Sequence, residues 1–163
     1  MQPRIAHLTE KKLVGQSLSM SFLNNRTKEL WQNFMPHRHE VKNAMGTDLY
    51  SVEIYPPNFF SNYNPAKNFE KWAAIEVSEF TDNAPGMKSI ILQEGLYAVF
   101  LHIGPASKGP ETYQYIFETW LPRSQEYSLD NKPHFAIMGD KYKPTQAESE
   151  EEIWIPVKLK GSN

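Results

Sequence analysis

Four residues of this chain combine aromatic surface with negative charge in segments that alternate like β-strands: Trp72, Glu76, Trp154 and Glu53. A tryptophan ring attracts a cation by about 0.5 to 2 kcal/mol, and a partly desolvated carboxylate adds a directional charge contact. On one common surface, these residue types would bind an apolar or cationic guest. A glutamate whose pKa is raised by desolvation would also suit a general base, and Glu76 is the candidate for that role if the protein is an enzyme.

Strand alternation predicts which side chains share a face, because successive residues of a strand point to opposite sides. In KWAAIEV we expect Ala73, Ile75 and Val77 to cover a helix, which sends Trp72 and Glu76 into a groove. In 49–55 we expect Tyr50, Val52 and Ile54 to face the helices. In the last strand the corresponding set is Ile153, Ile155 and Val157, and the same reasoning applies to 96–104 if Val99 and Leu101 face the helix. The predicted groove residues are then Trp72, Glu76, Glu53, Trp154, Ser51, Phe100 and His102.

A structural interpretation of the same residues stays open. The two tryptophans would then close the groove by packing on each other, and the glutamates would sit at its wet edges. His37 and His39 beside Glu40 do not present two imidazoles on one helical face, so we expect a solvated turn and no metal or cofactor. The acidic run 148–152 is read as a turn before the last strand.

Composition narrows the classes of function. The chain has 163 residues, enough for one domain, and a formal net charge of -2 gives no basic field for nucleic acid. It has no cysteine, which excludes disulfides and a cysteine nucleophile. Its N-terminus is charged and no apolar run approaches a membrane span, so the expectation is a cytoplasmic protein that binds neither membrane nor DNA directly.

The elements that would position these residues occur twice along the chain. Alternating segments at 13–22, 49–55, 71–80, 87–93, 96–104, 134–142 and 153–160 predict strands, with a short first strand at 3–8. ELWQNFMP (29–36) matches YIFETWLP (115–122), and each is read as a helix. The pattern predicts a single α+β domain over 1–163 with repeat halves at about 1–82 and 83–163, an antiparallel sheet with helices on one face, and a cleft at the pseudo-two-fold seam.

The segments KWAAIEV, EGLYAVFLHIGP, YQYIFETWLPRSQEYSLDNKPHF and EEEIWIPVK together resemble the GyrI-like, AraC-effector-binding domain family. The resemblance covers nearly the whole chain. It implies a duplicated βαββ fold of SHS2-like units, an aromatic cleft between the halves, and binding of small cationic or hydrophobic compounds. In longer relatives a DNA-binding helix-turn-helix module precedes this domain, so the chain resembles a stand-alone binder linked to bacterial transcription regulation and multidrug binding.

One position departs from the family pattern. Many relatives carry a cleft glutamate just after the HF-type pair and often a tyrosine two residues later, where this chain has Ala136 and Met138. The resemblance therefore adds Ala136 and Met138 to the expected ligand-binding set. It does not supply the family's central anion at that site.

Three functions remain at this point. The first is a small-molecule binding protein that senses or sequesters a hydrophobic or cationic ligand. The second, implied by the resemblance, is a hydrolase of strained-ring toxic compounds that uses Glu76 or Glu53 as general base. The third is a protein-binding module of the gyrase-inhibitor kind, for which no surface stands out in the sequence.

Overall fold

The structure is a computed structural model that describes residues 1–161. The strands are β1 (Arg4–Leu8), β2 (Lys11–Met20), β3 (Leu49–Ile54), β4 (Phe69–Val77), β5 (Lys88–Leu92), β6 (Gly95–Ile103), β7 (Tyr127–Leu129), β8 (His134–Met138) and β9 (Glu150–Leu159). The helices are α1 (Thr27–Phe34), α2 (Gly109–Tyr115) and α3 (Leu121–Arg123), with 3-10 turns at Met35–Glu40 and Ala106–Lys108 and a π-helical turn at Ile116–Trp120.

All strand pairs are antiparallel, and eight strands follow the order β1-β6-β9-β8-β3-β4-β2-β5, with β7 paired to β9. In a duplicated arrangement β1 corresponds to β5, β2 to β6, β3 to β8 and β4 to β9. Exchanging the members of each pair turns the strand order into its own reverse. Each edge strand pairs with the other half, since β1 joins β6 and β5 joins β2. This is the symmetry that a duplicated unit requires, and the predicted α+β fold with an antiparallel sheet is confirmed.

The helices cover one face of the sheet, which we call the helix face, in two separate cores. Leu30 and Phe34 of α1 are buried against Ala73, Ile75 and Val77 of β4. A second core forms under the other helical segment, where buried Ile116 packs with residues of β6, β8 and β9: Ala98, Phe100, Ala136, Ile153, Ile155 and Val157. The middle of the sheet, between the two cores, is where β3 and β8 pair at Ser51 and Ala136.

The opposite face of the sheet, called the closed face here, carries one core built from strand residues alone. Tyr97, Leu13 and Leu92 have no exposed surface there. With no helix over this face, such burial requires the sheet to curl so that side chains of distant strands cover one another. Both edge strands contribute, through Leu8 and Leu92.

The structure differs from the predicted elements at two places of consequence. The final strand begins at Glu150, so the last three residues of the acidic run are in β9 and not in a turn. The second helical segment runs past the predicted stop at Pro122 to Arg123 and contains the π-helical turn. Such turns widen a helix locally and are frequent at functional sites.

Candidate functional site

The predicted groove residues do not share one face. Trp72, Trp154 and Glu76 lie on the closed face, as the alternation of β4 and β9 predicted. For β3, the prediction of which side chains face the helices was wrong. Tyr50 and Val52 pair across from Ala74 and Trp72 on the closed face, so Ser51 and Glu53 lie on the helix face.

Four more predicted residues lie on the helix face. Phe100 is wholly buried under the second helical segment, with its ring edge-on to Trp120 at 5.2 Å between centroids. The assumption that Val99 faces a helix was wrong, because Val99 packs on the closed face. His102 lies two residues after Phe100 on the same face, and its ring contacts the Thr112 hydroxyl of α2. Ala136 is buried in the same core, and half-buried Met138 pairs with Leu49.

The two tryptophans on the closed face are packed and already covered by cations of the protein itself. The Phe135 ring stacks on Trp154 with centroids 5.2 Å apart. The guanidinium of Arg4 lies 5.3 Å from the Trp154 ring centroid, and the Lys88 ammonium lies 5.1 Å from that of Trp72. Trp72 and Trp154 are only 5% and 8% exposed, which favours the packing interpretation for both.

The carboxylate on this face is also occupied. Glu76 lies 3.3 Å from the Nζ of Lys11 and accepts a hydrogen bond from the Tyr50 hydroxyl at 3.4 Å. Its side chain is 25% exposed. Glu76 thus lies at a wet rim, where water screens its charge.

The centre of the helix face holds a different arrangement, which we call the cleft cluster: Glu53, Lys71, Glu151, Tyr55 and Tyr113. Glu53 pairs across β3 and β4 with Lys71, whose Nζ lies 3.5 Å from its Oε1, and their side chains are 11% and 17% exposed. Glu151 comes from β9, Tyr55 follows β3, and Tyr113 comes from α2. Strands from both halves and one helix therefore bring these five side chains together.

Burial is the main cause of the altered ionisation in this cluster. It raises the pKa of Glu53, against the opposing charge of Lys71, and the negative charge of Glu151 raises it further. Burial also raises the pKa of Glu151, opposed by His102 and Lys71. The pKa values of Tyr55 and Tyr113 are raised by burial and then by the charge of Glu53, so both keep a hydroxyl proton to donate.

Two histidines border the cluster. His134 pairs across from Glu53, and burial lowers its pKa to about 3. His102 lies across from Glu151, with its Nε2 3.1 Å from the carbonyl oxygen of Pro105 and its Nδ1 2.8 Å from the Thr112 hydroxyl. A carbonyl oxygen only accepts, so Nε2 donates its proton to Pro105, and this bond fixes the orientation of the His102 ring.

Aromatic residues of the loop after β3 close one end of the cleft. The Phe60 ring stacks on Phe117 of the second helical segment with centroids 4.8 Å apart, and it lies 5.9 Å from the His134 ring. The Tyr55 ring contacts the rings of Phe60 and His134, each with 4.8 Å between ring centroids. The loop thus bridges the two halves above the centre of the sheet.

A cavity of about 310 Å³ opens beside this aromatic bridge. Its lining includes the rings of Tyr55, Phe60 and His134 together with Lys132 and Lys158. Tyr55 belongs both to this lining and to the cleft cluster. Small-molecule sites are commonly concave and aromatic with a few convergent polar groups, and the cleft cluster with this cavity matches that description.

Sequence reasoning missed Glu151, Lys71 and Tyr113. Glu151 was assigned to a turn, although it continues the alternation of Ile153 and Ile155 on the helix face. Lys71 likewise continues the alternation of Ala73 and Ile75 in β4, which places it on the helix face. Tyr113 carried no sequence signal for its position, because that depends on where α2 crosses the sheet.

The described residues hold no group of three or more histidine, aspartate or glutamate side chains suited to a metal ion. Within residues 1–161, none of the helices combines the length and apolar character needed to cross a membrane.

The chain is thus an α+β domain with a curled antiparallel sheet, two helical segments on one face and acidic side chains between them. Residues 1–158 match the GyrI-like small molecule binding domain family, and the chain belongs to that family.

Known proteins similar to this chain include regulators and ligand-binding domains. The transcriptional regulator BrlR of Pseudomonas aeruginosa is 26% identical over 161 residues, which are 96% of this chain and 56% of BrlR. The chain thus spans little more than half the length of that relative. The structure of SAV2435 bound to tetraphenylphosphonium superposes with a TM-score of 0.68 at 19% identity, over 97% of this chain and 94% of that one. The EcmrR C-terminal domain superposes with a TM-score of 0.69 at 18% identity, over 96% of this chain and 97% of that domain.

Proposed function

We propose that this domain binds a hydrophobic organic cation in the cleft on the helix face, with Glu53 as the main counter-charge. The observation that carries the proposal is the pairing of buried Glu53 with Lys71 at 3.5 Å, in a cluster that also holds half-buried Glu151 and two tyrosines. A buried carboxylate is costly unless a cation pairs with it, and a ligand that brings both charge and apolar surface offsets that cost.

The aromatic residues supply the apolar part of the site. Tyr55 and Tyr113 border Glu53, and Phe60 lies stacked on Phe117 at the end of the cleft. A flat or propeller-shaped aromatic cation would replace the Phe60 contact with its own ring and place its charge near Glu53. Cation–π attraction and ring stacking each contribute about 0.5 to 1.5 kcal/mol.

A similar structure supports the cationic character of the ligand. SAV2435, similar in fold at 19% identity, has been solved with tetraphenylphosphonium, a hydrophobic monocation. The full-length relative BrlR is a transcriptional regulator, and for this chain we extend the proposal to sensing or sequestering such a ligand. Ser51, Ala136 and Met138, on the helix face where β3 and β8 pair, are the candidate floor of the site.

Two matched glutamates test the location. Glu53→Gln removes the buried charge on the helix face, and Glu76→Gln removes a lysine-paired charge on the closed face. Titration calorimetry with tetraphenylphosphonium should show a loss of affinity of roughly 10- to 100-fold for Glu53→Gln, since a charge-assisted contact contributes about 1.5 to 3 kcal/mol. Glu76→Gln should stay within about twofold of the wild type.

The reverse result would move the site to the other face. If Glu76→Gln weakened binding and Glu53→Gln did not, then Trp72 and Trp154 would line the ligand site after all. Equal binding by all three proteins would place the ligand away from both carboxylates and overturn the proposal.

Hydrolysis of a strained-ring electrophile is the second candidate, favoured by the raised pKa of Glu53. Glu53 would take a proton from water as the oxygen of that water bonds to a ring carbon, and the opened ring would receive a proton from the Tyr113 hydroxyl. Glu53 would then return its proton to Tyr113, which restores both groups. Product analysis by mass spectrometry would show a hydrated product with wild type and none with Glu53→Gln. Unchanged substrate with the wild type would exclude this candidate for the compound tested.

A further inference from the structure

The Phe60 side chain occupies a recess walled by three other aromatic rings at the end of the cleft. Its ring is stacked on Phe117 with 4.8 Å between centroids and an interplanar angle of 14°. It is also close to parallel with the His134 ring, at 5.9 Å and 28°, and it lies 4.8 Å from the Tyr55 ring. We call the rings of Phe117, His134 and Tyr55 the aryl recess.

The walls of the aryl recess contact one another as well as Phe60. The Phe117 and His134 rings are stacked at 6.0 Å, and the Tyr55 ring lies 4.8 Å from that of His134. Tyr55 follows β3, His134 begins β8, and Phe117 belongs to the π-helical turn. Because these contacts do not pass through Phe60, removal of its ring would leave a recess that fits one aromatic ring.

Phe60 itself comes from an exposed loop. Residues 56–58 and 61–64 are exposed on either side of the pair Phe59 and Phe60. Phe59 is only 3% exposed and packs in the core under α1, so it anchors the loop to the first half. Half-buried Phe60 also lines the cavity of about 310 Å³ beside the recess. Its ring can therefore leave the recess for that cavity while Phe59 stays in place.

We propose, on the basis of the proposed function, that the aryl recess is the subsite for an aromatic ring of the ligand and that Phe60 fills it in the free protein. Phe60 is then an internal competitor. A ligand that places its charge near Glu53 displaces the Phe60 ring and puts a ring of its own against Phe117 and His134.

This competition lowers the affinity for aromatic ligands. The recess accepts a ligand ring only in the fraction of molecules that have released Phe60, and the apparent dissociation constant rises by the inverse of that fraction. A stacked aromatic pair of ordinary strength favours the filled recess by a factor that raises the dissociation constant roughly 3- to 10-fold.

The first test is the affinity of Phe60→Ala for tetraphenylphosphonium, measured by titration calorimetry at pH 7.5. The variant empties the recess and leaves its three walls, so it should bind roughly 3- to 10-fold more tightly than the wild type. If Phe60 were instead a wall of the ligand site, its removal would weaken binding. The sign of the change thus decides between a competitor and a wall.

The second test uses Phe117, the ring on which Phe60 is stacked. In the wild type, Phe117→Ala takes the same contact from the ligand ring and from Phe60, so the affinity should fall by only about twofold. In the Phe60→Ala background the ligand alone loses that contact, and the same substitution should cost roughly 3- to 10-fold. An equal cost in both backgrounds would show that Phe60 and the ligand do not compete for the recess.

Tyr63→Ala is the matched control within the loop. Tyr63 is 69% exposed, and its ring stacks on Phe22, at 6.3 Å. Its affinity should stay within about twofold of the wild type, and a gain like that of Phe60→Ala would mean that loosening the loop is enough. Thermal unfolding followed by circular dichroism identifies the folded variants. Phe60→Leu, which keeps an apolar side chain without a ring, repeats the first test if Phe60→Ala is unfolded.

The outcomes separate the two proposals. If tetraphenylphosphonium binds the wild type and Phe60→Ala binds equally well or more weakly, the competitor role of Phe60 is wrong while the cation site stands. Binding that is detectable only in Phe60→Ala would support both proposals. If neither the wild type nor a folded Phe60 variant binds, the proposed cation site fails, and the role of Phe60 fails with it.

Discussion

The two faces of this sheet are built from the same alternating strands, yet they bury very different side chains. The closed face holds one continuous core that includes Trp72, Tyr97 and Trp154, and its charged residues lie at the rim. The helix face holds two cores, one under each helical segment, with Glu53 and Lys71 buried between them. Where the covering layer is divided, the sheet keeps polar groups at its centre, and a ligand can take the place of the missing cover.

This comparison predicts that substitutions on the closed face act on folding and those in the cleft act on binding. The largest effect should come from Trp154→Ala, which removes a side chain that is 8% exposed and stacked on Phe135. The free energy of unfolding should fall by about 3 to 5 kcal/mol, as for other buried aromatic residues. Urea unfolding followed by circular dichroism measures this.

Trp31→Ala is the control for that substitution. Trp31 is a half-buried residue of α1, and its loss should cost clearly less than that of Trp154. A smaller loss for Trp154→Ala than for Trp31→Ala would mean that the closed face is not the structural core described here.

His134 gives the helix face a distinct pH response. Its pKa is about 3 in the folded protein and about 6.5 when unfolded, so acid favours the unfolded state as pH falls below about 6.5. His134→Phe keeps a ring beside Phe60 and removes this proton uptake. Between pH 6.5 and 5 the wild type should lose up to about 2 kcal/mol of unfolding free energy relative to His134→Phe.

The acids of the cleft cluster act in the opposite direction. The pKa values of Glu53 and Glu151 are raised, so their protonation favours the folded state, and only the difference between wild type and variant isolates His134. His7→Gln, at an exposed position, is the matched control and should follow the wild-type curve. Parallel curves for wild type and His134→Phe would contradict a neutral buried His134.

The smallest effect should come from the cations that cover the tryptophans. Lys88→Met removes the ammonium group over Trp72 but keeps an unbranched side chain. We expect a loss of about 0.5 to 1 kcal/mol in unfolding free energy, the usual range for a partly exposed cation–π contact. Chemical denaturation at low and at high salt checks the value, and a loss above 2 kcal/mol would show that Lys88 has another role.

Most of the fold was accessible from the sequence. Alternation located the main strands, because a sheet with two buried faces repeats apolar residues with a period of two. The match between ELWQNFMP and YIFETWLP located both helical segments. The three-residue β7 was not predicted, since so short a segment shows no period.

The candidate site was less accessible, for a physical reason visible in β3. Tyr50, Val52 and Ile54 form an apolar set, and the prediction gave that set to the helices. In this protein the face without helices is just as apolar, because the curled sheet covers itself. Alternation shows which residues share a face of one strand, but it does not show which face lies under a helix.

Glu151 illustrates a second limit. A run of acids predicts a solvated turn on average, and that expectation concealed a strand residue whose neighbours Ile153 and Ile155 point into a core. Its partners Lys71 and His102 lie on other strands, and their approach depends on strand pairings across both halves. Contacts of this kind become visible only when the register is known.

The exchange of edge strands between the halves has a consequence for how the chain acquires its structure. Among residues 1–161, β1 pairs with β6 alone, and β2 remains without its outer neighbour until β5 has been made. The first half therefore leaves the ribosome with β1 unpaired, and it has to wait for strands encoded much later before its sheet is complete. Pairings so distant in sequence slow folding and prolong the exposure of strand edges. A chain that ended after the first half would lack β5 and β6, so its β1 and the outer edge of its β2 would have no partner strand.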